Sequence, residues 1–138
     1  MRFFEDKIFV DFEASSLKTT GCHEQLSFPI EAGWASLDQG ELKTGSVLIK
    51  PHHSWNTEKD WNPAAEKVRG FSLDELSQSG LPCSEAWDVF HNATQDRQII
   101  VGHGNKDGFW LERFRDPERE FSPLDDYFIG AVDFWSVI

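Results

Sequence analysis

The sequence predicts an α/β domain, a mixed sheet of five strands with helices packed against it. Three observations carry this. Short apolar runs bounded by Gly, Pro or charged residues recur along the first fifty residues, close enough to form a hairpin-linked meander. Beyond Pro51, apolar residues at helical spacing alternate with short apolar runs, the pattern of strands joined through helices. And 138 residues with 39% hydrophobic and 14% aromatic content can bury one self-supporting core.

The elements follow in order. Residues 7–12 read as a buried strand, and 13–27, with Ser, Thr, Gly, Cys and His, as a loop. Residues 29–37 form a second strand, 38–41 a turn, and 43–50 a third strand with Val47 and Ile49 on one face. A loop carrying Trp55 and Trp61 comes next, with a short helix over 64–68. Ser72 and Glu75 are spaced as the N-cap and third residue of a capped helix. Residues 84–93 place Ala86, Val89, Phe90 and Ala93 on one helical face. Residues 98–102 are a short strand, Asp107 opens a helix limited by Pro117, and 129–134 are the last strand. No repeat, low-complexity tract or second domain is visible.

The net charge of −11 argues against a broad nucleic-acid-coating surface, which needs many phosphate contacts. It is compatible with a small pocket gripping a strand end through bridging cations. There is no run long enough for a membrane span and no secretory pattern at the N-terminus, so a cytoplasmic location is expected. Cys22 and Cys83 have no metal-type spacing and are expected to be free thiols.

The chemistry concentrates in Ile8-Phe9-Val10-Asp11-Phe12-Glu13-Ala14-Ser15-Ser16. Residues two apart on a strand share a face, so Asp11 and Glu13 stand side by side. Two such carboxylates repel unless a cation lies between them, and a divalent ion such as Mg²⁺ or Mn²⁺ takes oxygen ligands of this kind. Other acids fall at junctions: Asp107 at a helix start, where an acid also suits the dipole, and Asp133 in the last strand. Carboxylates gathered this way suit two hard cations and phosphodiester hydrolysis.

The first segment resembles the leading motif of the DEDD 3′–5′ exonucleases, the family of ribonuclease T, oligoribonuclease and the proofreading subunit of bacterial DNA polymerase III. Further segments are similar in the right order. Pro29-Ile30-Glu31-Ala32-Gly33 looks like their I-E-x-G strand, and Ile49-Lys50-Pro51 like the end of the third strand. Arg69-Gly70-Phe71-Ser72 with Leu76 looks like their H-G-I-[ST]-x-x-x-L stretch. Ile100-Val101-Gly102-His103 with Asp107 corresponds to the second motif, and Ala131-Val132-Asp133 fits the strand after it. The resemblance implies a ribonuclease H-like fold, two Mg²⁺ or Mn²⁺ ions, and removal of nucleotides from a single-stranded 3′ end. It implies that Asp11 bridges both ions, Glu13 binds one, and Asp107 supports the second. Ala14 and Ser15 would approach the terminal nucleotide.

Three departures accompany it. The family's third motif, H-x4-D or Y-x3-D on a helix after the last strand, does not occur before Ile138. The domain is therefore expected to be C-terminally incomplete, to lack that helix, to be weak or inactive alone, and to self-associate through uncovered sheet. His91 to Asp96 spells H-x4-D but precedes the second motif, and Tyr127 has no acid four residues on. Arg69 replaces the usual His, and Gly104 and Lys106 depart from the second motif's usual residues. An inactive exonuclease-fold binding or regulatory module is the alternative. His103 suits an ordinary strand end better than a base. Packing is the commoner fate for Trp55 and Trp61, stacking on bases the rarer one. His52 and His53 show no ligand partners in the sequence around them.

Overall fold

The computed structural model describes residues 5–15, 27–58, 60–63, 66, 70–102, 104–119 and 131–133. Five strands form one mixed sheet: β1 (Lys7–Ala14), β2 (Pro29–Asp38), β3 (Glu41–Leu48), β4 (Gln98–Val101) and β5 (Ala131–Asp133), in spatial order β3-β2-β1-β4-β5. The first three pair antiparallel, and β1–β4 and β4–β5 pair parallel. The described helices are α1 (Leu73–Ser79), α2 (Cys83–Thr94) and α3 (Gly104–Arg115). Arg69, Tyr127, His103 and Cys22, together with most of the helix expected over 64–68, lie outside the described residues.

The β2–β3 hairpin closes through Gln39 and Gly40, whose φ values of 52° and 80° are both positive. A two-residue turn of that kind matches the strand twist, so pairing continues to Asp38↔Glu41 and β3 starts two residues earlier than its apolar pattern suggests. β1 alternates strictly. Ile8, Val10 and Phe12 are buried, while Lys7 and Phe9 are half-buried and Asp11 and Glu13 are exposed.

The buried face meets α2 and α3. Phe12, Phe90 and Phe114 form an aromatic triangle with ring centroids 6.2, 6.3 and 5.5 Å apart, flanked by Trp34 and Trp87. Burying one such Phe side chain stabilises the fold by roughly 1.5–3 kcal/mol. The buried stripe of α2 is Cys83, Ala86, Phe90 and Thr94, which keeps Ala86 and Phe90 of the predicted face but not Val89. Val89 is 41% exposed, because the stripe runs through 83, 86, 90 and 94 and leaves position 89 on the outer side. Thr94 satisfies its buried hydroxyl by donating to the Phe90 carbonyl at 2.9 Å. Ser72 caps α1 as predicted, its Oγ accepting from the Glu75 N–H at 3.2 Å.

Trp55 and Trp61 are buried against Phe28, with centroids 5.1 and 6.5 Å away. They are core, not open platforms for bases. Their indole N–H groups donate to Pro117 O at 3.0 Å and Glu66 Oε1 at 2.9 Å. Among the described residues no helix is long and apolar enough to cross a membrane.

Candidate active site

Because β1 pairs with β2 on one edge and β4 on the other, the sheet reverses its strand order there. In α/β sheets ligands gather beyond the carboxyl ends of strands at such a point. The parallel register sets Val10 beside Val101 and Val101 beside Asp133. Asp11 thus follows the last β1–β4 rung, Asp133 lies level with it in β5, and α3 begins just beyond β4. The topology brings the ends that carry the candidate acids to one end of the sheet.

Asp11 and Glu13 share the face of β1 opposite the one that packs on α2 and α3, and both are exposed. On the neighbouring strand Glu31 lies directly opposite Glu13, and Gly33 opposite Asp11. Side chains directly opposite on an antiparallel pair are neighbours. Burial, and then the facing charge of Glu13, hold the Glu31 carboxyl above its ordinary value. Among the described residues no Lys or Arg forms an ion pair with Asp11, Glu13 or Glu31. Hard oxygen donors that pair with no cation among the described residues fit a divalent ion of the Mg²⁺ or Mn²⁺ class.

The strand register breaks between Glu13 and Ala14. Such irregularities re-aim side chains and are frequent beside active sites. Ser15 fixes the break. Its N–H donates to Phe28 O at 2.9 Å, its Oγ accepts from Phe28 N–H at 2.9 Å, and its carbonyl accepts from Asn62 N–H at 3.0 Å. Ser15 is fully buried, whereas Ala14 is half-buried.

Asp107 does not open its helix. α3 starts at Gly104, so the residues that depart from the family pattern form its first turn, and Asp107 is fully buried within it. A carboxylate in a first turn faces the positive end of the helix dipole. Among the described residues, Asp11, Glu13 and Asp107 do not form a group with ligand atoms within 4.8 Å of one another. The group that does is His52, His53 and Glu118. Sequence reading missed it because Glu118 lies in a distant segment with no local signal. Burial and then His53 push the His52 imidazole down, against a smaller upward pull from Glu118. His91, exposed, stacks on Trp87 with centroids 6.1 Å apart, near the C-terminus of α2. A cavity of about 420 Å³, lined by His52, Cys83, Trp87, Phe114 and Arg115 among others, includes none of the predicted acids.

No family model matches the sequence, and no curated protein matches it. Solved structures do. A product-bound exonuclease I superposes with a TM-score of 0.64 at 14% identity, over 95% of this chain and 30% of that one. Exonuclease I from Methylocaldum szegediense gives 0.63 at 13% identity, over 93% and 27%. E. coli exonuclease I in complex with a dT13 oligonucleotide gives 0.59 at 15% identity, over 78% and 23%. The chain spans less than a third of the length of each of these. It has the exonuclease, ribonuclease H-like fold.

Proposed function

We propose that this chain is the nuclease domain of a metal-dependent 3′–5′ exonuclease, with Asp11, Glu13 and Asp107 as its ion-holding and catalytic carboxylates. The observation that carries the reading is the Asp11–Glu13 pair on the open face of β1, where β1 and β4 finish side by side in a sheet of exonuclease topology. Two Mg²⁺ or Mn²⁺ ions, when bound, would supply an activated water and stabilise a leaving phosphodiester oxygen. The protein's own part is placement and charge. Asp11 and Glu13 present hard oxygens, Glu31 deepens the negative potential behind them, and Asp107 is set by the first turn of α3. Ala14 would border the terminal nucleotide, and Ser15 would hold Ala14 there through its bonds to Phe28 and Asn62. The dT13 complex of a structural neighbour supports a single-stranded 3′ end as substrate.

These 138 residues contain no H-x4-D after β5. A polypeptide of these residues alone is therefore expected to hold ions yet turn over slowly. A 3′-labelled single-stranded oligonucleotide incubated with the chain and Mn²⁺ should show release near background. Robust mononucleotide release abolished by Asp11→Ala would overturn the slow turnover while strengthening the nuclease reading. One observation favours a second reading, an inactive binding or regulatory module: the three carboxylates are not drawn into one group. Thermal unfolding separates the two. Stabilisation by Mn²⁺ that Asp11→Asn removes supports the nuclease site. No stabilisation by any divalent cation supports the module.

A further inference from the structure

We propose that His52, His53 and Glu118 form a second metal site, for a transition-metal ion of the Zn²⁺ class, distinct from the acids of β1. Each of the three offers one ligand atom, and these atoms lie within 4.8 Å of one another. Two imidazoles and one carboxylate suit Zn²⁺, which takes three protein ligands and leaves a position for water. The same set is poorly matched to Mg²⁺, which prefers oxygen throughout.

The frame around these ligands is fixed by bonds that do not involve the ion. Ser54 Oγ and Trp55 Nε1 both donate to the Pro117 carbonyl, at 3.1 and 3.0 Å. They pin the residue before Glu118 to the two residues after His53. On its other side, Arg119 Nη1 donates to the buried Glu112 Oε2 at 2.8 Å, and Arg119 N–H to Asp116 O at 3.1 Å. Glu118 is held between two anchored neighbours. The His52 and His53 rings lie 4.2 Å apart, and His52 rests on Trp55 at 5.9 Å. Ligands held on an ordered backbone lose little freedom on binding.

The proton arrangement also fits. His52 Nδ1 lies 2.7 Å from Ser54 Oγ. With the hydroxyl proton given to Pro117 O, that oxygen accepts from Nδ1–H and leaves a lone pair on Nε2. Metal-binding histidines are oriented in this way, the second ring nitrogen donating to an outer group. The Ser54 N–H, 3.1 Å from the same Nδ1, serves the opposite tautomer, so an ion selects one of two arrangements already available. His53 Nε2 and Glu118 Oε1 are 3.8 Å apart, too far for a hydrogen bond. Two ligands each ~2.0–2.1 Å from a tetrahedral ion sit roughly 3.3 Å apart, so this pair needs to close by only about half an ångström. The ion would clip the segment after β3 to the segment after α3.

Metal-free full chain titrated with ZnCl₂ in a calorimeter tests this independently of the nuclease reading. One equivalent should bind and raise the unfolding temperature. H53A and E118A should each weaken binding at least tenfold. They should leave metal-free unfolding unchanged, because those side chains are 82% and 68% exposed. A D11N/E13Q double variant should keep Zn²⁺ binding while losing any Mn²⁺ response. CoCl₂ should give visible d–d bands without thiolate charge transfer. No Zn²⁺ uptake, wild-type affinity in H53A or E118A, or a thiolate band pointing to Cys22 or Cys83 would each overturn the proposal.

Discussion

Replacing Glu13 by Gln should raise stability without metal and lower it with metal. Glu13 and Glu31 are directly opposite across β1 and β2. Carboxylates about 6 Å apart in a water-like dielectric repel by about 0.7 kcal/mol, and physiological salt roughly halves this. Like charges facing across strands destabilise by a comparable ~0.2–1 kcal/mol. Both groups meet solvent, so about 0.5 kcal/mol is the expected gain, or roughly 2 °C in Tm for a domain of this size. The pH dependence has a definite sign. The Glu31 carboxyl is raised above 4.5 in the fold. Its contribution is full below the unfolded value and is lost as pH rises through the folded one. The variant's advantage should therefore be widest at pH 7 and shrink on acidification, as Glu31 protonates in the wild type. With Mn²⁺ at ten times its Kd, the wild type gains about 1.4 kcal/mol, and a tenfold weaker variant about 0.4 kcal/mol. Thermal unfolding at pH 5 and 7, with and without Mn²⁺, reads all four arms. A metal-free E13Q no more stable than wild type, or one with an undiminished Mn²⁺ increment, would refute the reasoning.

Phe12→Ala should cost about 3–5 kcal/mol in urea unfolding by opening the Phe90–Phe114 contact, and a loss below 1 kcal/mol would contradict that packing. Ser72→Ala should cost about 1 kcal/mol through the lost N-cap of α1, and Ser72→Gly appreciably less. Burial pushes the Cys83 thiol up to about 12, so peptide mapping should find it unalkylated by iodoacetamide at pH 8, and rapid labelling would show the site to be open. Sedimentation should show concentration-dependent association of a polypeptide of these residues through uncovered sheet, and a strict monomer would count against it.

The sheet was legible because its signals are local. Strict alternation in β1 separated Ile8, Val10 and Phe12 from Asp11 and Glu13, and the Gln39-Gly40 turn sits where the pattern breaks. α2 was legible as a helix but only in part in its orientation. Ala86 and Phe90 are buried as read, but Val89 is exposed and Cys83 and Thr94 join the stripe, because packing against Phe12 and Phe114 chooses it. The β1 acids could be read from two residues, but Glu31 emerges as their neighbour only once strand register is fixed. The start of α3 was missed because Gly104-Asn105-Lys106 carries no strong helix-start signal ahead of Asp107. The His52–His53–Glu118 group was invisible because the bonds onto Pro117 join segments far apart in sequence.

The parallel seam between β1 and β4 has a kinetic meaning. β1, β2 and β3 form a meander whose second hairpin is closed by a two-residue turn, a structure able to assemble in microseconds. With the meander formed, pairing Lys7 with Gln98 closes the chain after Leu48, a loop of about 50 residues, at about 3.5 kcal/mol of entropy beyond the constant term. The seam should form late and open first, with β4 amides exchanging at lower free energy than those of β2. Asp11 and Glu13 lie on the early unit and Asp107 on the late one. Opening this seam alone would part Asp107 from Asp11 and Glu13 while the meander still stands, so the proposed site would last only as long as four rungs of one ladder rather than as long as the whole domain stays folded.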